Sequence, residues 1–234
     1  MNNKKQKLDT IQEILYTVLV ILCVRLIICF VIDIKTIDCV ANYVCKSYKN
    51  QQYNEYIYAD GNVNEYVLDE TSKLIEQGNV PKSLIYYFYK NGGMVYVTDD
   101  KLGKSGNVKT KNNHEVLGIF RFNEKQKYSI WVIDKLEDTI RAGTLEHEFG
   151  HYLDYLYGWS SKNEDFVKIF EEEKDNFQKY INNGEHYNTE TEYFAECYSV
   201  YLTDGITLKK YCSKTYETME LLTEQLDIFY NTKK

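Results

Sequence analysis

An α+β fold, strands followed by helices and preceded by a membrane-crossing helix, is what this 234-residue sequence predicts. Three observations predict it. Short β-rich apolar runs, "MVYVTDD", "VLGIFRF" and "YSIWVID", crowd the middle of the chain. From Lys135 to the C-terminus the apolar spacing is helical, broken by polar turn segments. Near the N-terminus, "ILYTVLVILCVRLIICFVIDI" (Ile14 to Ile34) is almost continuously apolar.

Taken in order, the chain starts with a basic "MNNKKQK", and the nineteen residues from Ile14 to Ile32 are near the length that crosses a bilayer as a helix. Arg25 near the middle costs about 2.5 to 3.5 kcal/mol, which its apolar neighbours offset. No small-x-small cleavage site follows, so the segment predicts an uncleaved signal anchor. Three lysines ahead of it keep the N-terminus in the cytoplasm. The expectation is a single-pass cell-membrane protein with its main domain outside the cell, secreted if the segment is cleaved. The alternative is a buried core helix. The expected division is 1–35 anchor, 36–60 connector and 61–234 domain, the connector being a stalk or the first strand.

Within the domain, a helix is expected over Val63 to Gln77, ended by Gly78. Pro81 suits the first helical position of "PKSLIYYFYKN", which Gly92 and Gly93 stop. Met94 to Asp100 predicts a buried strand, and "KLGKSGNVKTKNNHE" a polar loop. Val116 to Phe122 and Tyr128 to Asp134, around "NEKQK", predict a hairpin. Four helices then follow, with turns at 158–162, 182–188 and 204–208.

Composition narrows the function classes. The chain is 44% apolar and 15% aromatic, enough to fill a core and to argue against disorder. Net charge is -7, but residues 1–35 carry +2, which leaves -9 for the rest. With no basic stripe, nucleic acid is excluded as a partner. Cys23 and Cys29 lie in the apolar run, and Cys39, Cys45, Cys197 and Cys212 show no CxxC spacing. Neither a zinc ribbon nor a disulfide scaffold is indicated. Pairing of Cys39 with Cys45, or of Cys197 with Cys212, stays open beside free thiols.

The chemistry is concentrated in "RAGTLEHEFGHYLDYLYG". His147 and His151 are four residues apart on an expected helix, so both imidazoles point the same way and can reach one ion. Zinc takes imidazoles at about 2.0 to 2.1 Å, with a third protein ligand and an open position when catalytic. Glu148, about 100° round the helix, lies beside the ion and can move a proton from water to a leaving amine. The bland alternative, two histidines that only pack, must tolerate Glu146, His147, Glu148 and His151 among core-like Leu145, Phe149, Leu153 and Leu156.

A third ligand is required. The pattern HExxHxxGxxH fails, since the relevant positions are Asp154 and Tyr157. In "NTETEYFAECYSVYL", Glu192 and Glu196 share one helix face, so one can ligate while the other orients a histidine. A solvated acidic face is the alternative for this pair. Asp154 can hold the helix or His151 in place, or be a surface acid.

"HEFGHYLD", "KIFEEEKDNF" and "EYFAECY" resemble the catalytic domain of anthrax toxin lethal factor and the related clostridial Pro-Pro endopeptidases, from about Pro81 to Tyr230. That resemblance implies a zincin-like metalloprotease domain with one Zn²⁺ held by His147, His151 and Glu192. It implies Glu148 as general base and Glu196 as support. In such relatives a tyrosine seven residues before the ligand glutamate donates to the developing oxyanion. Here that position is Glu185; Tyr187, five before, takes the role, with His186 as competitor. The chain has no room for lethal factor's receptor-binding and translocation modules, so a free-standing intracellular toxin is not expected; the apolar N-terminal run points instead to a protease tethered to its own cell envelope.

The expected function is therefore a zinc metalloendopeptidase acting on protein or peptide substrates outside the cell, bound along the hairpin by β-addition. The alternatives are a non-catalytic membrane-anchored envelope protein with the same fold, or a secreted toxin-like protease.

Overall fold

The computed structural model describes residues 47–99, 116–122, 128–181 and 189–233, all within one compact unit, Ser47–Lys234. The expected anchor and the oxyanion candidates Tyr187 and His186 lie outside the described residues. Among the described residues no helix is long and apolar enough to cross a membrane.

Strands β1 (Ser47–Gln52) and β2 (Ile57–Asn64) open the unit, followed by helices α1 (Glu65–Gln77) and α2 (Lys82–Lys90) and strand β3 (Met94–Thr98). The hairpin is β4 (Gly118–Phe122) and β5 (Tyr128–Ile133). Four helices complete the fold: α3 (Asp138–Leu156), α4 (Glu164–Tyr180), α5 (Glu190–Tyr211) and α6 (Ser213–Asn231), with a short 3-10 turn, Ser160–Lys162, after α3. The architecture is α+β around a five-stranded mixed sheet of order β1-β2-β3-β5-β4.

Pairing is antiparallel at both edges and parallel for β2–β3 and β3–β5. Period-2 alternation gives each sheet face its character. Ile57, Ala59, Val95, Val97, Ile130 and Val132 are fully buried and share one face. Phe88 of α2 packs edge-on against Phe149 and Tyr152 of α3 beneath them, at 5.3 and 5.0 Å. Each such fully buried side chain contributes about 1.5 to 3 kcal/mol. On the opposite face Tyr58, Tyr96 and Trp131 lie side by side across three strands, Tyr96 stacking on Trp131 at 4.2 Å.

In the connector that the sequence left between stalk and first strand, residues 47–52 form β1 and residues 57–60 begin β2. Their polar side chains hid the alternation, because β1 is an edge strand with little to bury. Helix α1 starts at Glu65, later than the expected Val63, since β2 runs through Asn64. There the Asn64 side chain caps α1 by accepting from the Tyr66 N–H at 2.8 Å. The turn expected at 204–208 is a kink: Asp204 leaves helical geometry, and α5 resumes and runs to Tyr211. The break before α6 falls at Cys212, where Glu173 of α4 accepts from the N–H groups of Lys214 and Thr215 at 3.0 and 2.9 Å. A buried carboxylate from another helix thus caps α6. Cys197 and Cys212 are buried free thiols.

Candidate metal centre

Helix α3 is wrapped by the sheet edge on one side and by α5 on the other, and this explains where its polar residues go. Leu145, Phe149, Tyr152 and Leu153 fill the core. Gly150 lies against the backbone of Ala195: a Cβ there would stand 2.8 Å from the Ala195 carbonyl oxygen. The glycine of "HEFGH" and the alanine of "EYFAE" are therefore the contact point of two helices in close approach. That approach brings the first turn of α5 over the two histidines.

Glu192 is the third residue of α5, and its N–H donates to the capping Thr189 Oγ1 at 3.3 Å. Its Oε2 lies 3.3 Å from His147 Nε2 and 3.6 Å from His151 Nε2. One ligand atom from each of His147, His151 and Glu192 lies within 4.8 Å of the others, the one such cluster of potential metal ligands among the described residues. Glu196, one turn further along α5, meets His147 Nδ1 at 3.0 Å. That contact turns Nε2 of the same ring towards Glu192.

The electrostatics follow. Burial opposes a charge on His147, but hydrogen bonds to Glu192 and Glu196 and the nearby Glu148 outweigh it, so the imidazolium is pushed up to about 10. Glu192 also resists charge through burial, yet its two imidazole contacts hold it far below the usual carboxylate range. Glu148 is almost wholly buried, and burial pushes its carboxyl upward against the pull of both imidazoles. Strand β4 crosses directly over Glu148: a Cβ on Gly118 would stand 2.7 Å from its Oε1, and a backbone hydrogen bond ties Phe120 to it.

Asp154 is fully buried, and its carboxylate accepts from the Ser161 N–H at 2.7 Å and the Ser161 hydroxyl at 2.6 Å. It ties the end of α3 to the 3-10 turn. Ser161 in turn touches Thr191 Oγ1 at 3.4 Å, beside Glu192. Asp154 thus acts on the two helix ends that carry the cluster.

Sequence reasoning passed over Glu146. It is buried, accepts from Asn79 Nδ2 at 2.8 Å and Ser199 Oγ at 3.4 Å, and so links the α1–α2 loop to α5 behind His147. An acid on a face shared with core residues was the available signal.

The family described as "Anthrax toxin lethal factor, N- and C-terminal domain" matches residues 43–222. The chain belongs to the anthrax toxin lethal factor family. This lethal factor family member also shares the fold of a Pro-Pro endopeptidase from Paenibacillus alvei, with a TM-score of 0.54 and 23% sequence identity. The likeness covers 72% of this chain and 97% of that one. No curated protein matches the chain.

Proposed function

We propose that the chain is a zinc-dependent endopeptidase. One observation carries this reading. Tetrahedral zinc with bonds of about 2.0 to 2.1 Å puts its ligands about 3.3 to 3.4 Å apart. Glu192 Oε2 stands 3.3 and 3.6 Å from the two imidazole nitrogens. Two imidazoles and a carboxylate are also the donor types that zinc takes at catalytic sites. Bound there, zinc supplies Lewis-acid polarisation of a scissile carbonyl and acidifies water.

The chain's own residues supply the remainder. Glu196 holds His147 in the orientation that leaves Nε2 for the ion. Glu148, beside the histidines and under β4, takes the proton of the attacking water and delivers it to the leaving amine. Family membership, and the fold shared with an endopeptidase of Paenibacillus alvei, support peptide-bond hydrolysis as the reaction. Strand β4 ends the sheet order, so its outer side can receive an extended substrate by β-addition. Tyr187 is the proposed oxyanion donor, with His186 as alternative. The apolar run of residues 14–34 supports a tether that leaves the domain outside the cell.

The test uses the full chain in detergent and its released domain. Zinc content should be about one per chain, and Glu148→Gln should keep the metal while losing cleavage of a peptide library. Wild-type protein that takes up no zinc at micromolar metal would sink the reading.

A further inference from the structure

Past His151, the face of α3 that carries the histidines continues into an aromatic surface. Tyr155 follows His151 by four residues, so it lies on the same face about 6 Å further along the axis. Its ring packs against Phe122 at 5.1 Å and Trp159 at 5.4 Å, and Phe122 meets Trp159 at 5.5 Å. Tyr128 of β5 backs the group, 5.2 Å from Tyr155. These rings are not core. Phe122 is 50% exposed, and Tyr155 and Trp159 are partly exposed.

Trp159 adds an independent observation. It has φ of 64°, the one left-handed non-glycine among the described residues, directly after the left-handed Gly158. A bulky side chain in that region is strained and persists only where its surroundings impose it. Here the Trp159 N–H donates to the Asp154 carbonyl at 2.8 Å, and its own carbonyl accepts from the Lys162 N–H at 2.9 Å. Glycine would hold this turn without strain. The turn is held in a form that delivers an indole beside Phe122 and Tyr155.

Strand β4 fixes the direction. Gly118 lies against Thr144 and Glu148, while Phe122 lies against Tyr155 and Trp159, so β4 runs along α3 in the same sense. Antiparallel addition, the slightly more stable pairing, makes a substrate run from the aromatic surface towards Gly118. A rise of about 3.4 Å per extended residue places that surface one to two residues from the point of attack.

We infer that Phe122, Tyr155 and Trp159 form a subsite for a large apolar side chain, aromatic above all, on the N-terminal side of the scissile bond. Ring pairs with centroids about 4.5 to 7 Å apart are favourable beyond their buried area, so a substrate aromatic gains both. The inference rests on the endopeptidase reading and gives it a substrate class.

The experiment is cleavage of a randomised peptide library by zinc-loaded wild type, Trp159→Gly and Phe122→Ala, with products sequenced on both sides of the cut. Wild type should enrich Phe, Tyr, Trp or Leu one or two residues before the bond. Each variant should lower the kcat/KM ratio of a Phe peptide over its Ala counterpart by about tenfold or more. Trp159→Gly relieves the strained turn, and Phe122→Ala lies at the sheet edge, so folding of one does not depend on the other. A flat wild-type profile, enrichment of proline alone there, or variants that keep the wild-type ratio overturns the proposal.

A second measurement separates the subsite from the reaction. In zinc-loaded Glu148→Gln, a hexapeptide with one Phe should change tryptophan fluorescence and bind about tenfold tighter than its Phe→Ala counterpart, and the difference should vanish in Trp159→Gly. If wild type cleaves nothing while this difference holds, the endopeptidase reading falls and the subsite stands. If cleavage proceeds while the two peptides bind alike, the subsite falls alone.

Discussion

His147 is gripped from both ring nitrogens, by Glu192 at 3.3 Å and Glu196 at 3.0 Å. Against the desolvation that burial imposes, these two carboxylates push its pKa up to about 10, so the metal-free protein keeps that proton throughout the neutral range. A metal needs the neutral imidazole, so zinc must displace the proton. The sign is fixed: lowering pH strengthens the competitor. Zinc affinity should therefore tighten by about tenfold per pH unit between pH 6 and 8 for each proton displaced. Competition with a chromophoric chelator at three pH values checks this, and a pH-independent Kd would show that His147 is neutral before the metal arrives. At the same scale, Glu196→Ala frees Nδ1 of His147 and should weaken zinc binding by about 10- to 100-fold. The same chelator assay measures it, and unchanged affinity would leave Glu196 without a part in metal binding.

At the scale of elements, the site depends on how closely α3 and α5 approach. Gly150 and Ala195 leave no room for a methyl group, since a Cβ on Gly150 would press on the Ala195 backbone at 2.8 to 3.2 Å. Gly150→Ala should therefore cost about 1 to 3 kcal/mol through overpacking, despite alanine's better helix propensity. Denaturant unfolding of the metal-free protein checks this, and an unchanged or raised midpoint would mean the helices can part freely. The elements also mark what the sequence made legible. The hairpin and α3 followed from local pattern: alternation in "YSIWVID", and helical spacing around the histidines. Residues 47–60 did not, because Tyr, Asn and Gln at a sheet edge carry little hydrophobic contrast. A break at Asp204 was legible, but the restart at Ser213 was not, because Glu173, forty residues away, caps the start of α6.

At the scale of the whole molecule, the separation of the two motifs becomes intelligible. "HEFGH" supplies two nitrogens and "EYFAE" two carboxylates, and each spacing showed which residues share a helix face. Which glutamate meets the cluster followed from resemblance. In the structure Glu192 lies at the first turn of α5, over the histidines, and Glu196 behind His147. No local pattern reveals that Asp154 would reach Ser161, or Glu146 reach Asn79 and Ser199. Such bonds exist only once helices and loops meet. The aromatic surface is of the same kind, since Phe122 and Trp159 are thirty-seven residues apart and meet, beside Tyr155, only in the folded chain.

The endopeptidase reading depends on α3 and α5 assembling one zinc site from His147, His151 and Glu192. X-ray absorption at the zinc edge of the loaded full-length protein reads that ligand set without relying on activity. Two imidazoles and oxygen ligands at about 2.0 to 2.2 Å are expected, with the imidazole signal reduced in His151→Ala. A sulfur shell at about 2.3 Å, or a spectrum that His151→Ala leaves unchanged, would contradict the assignment.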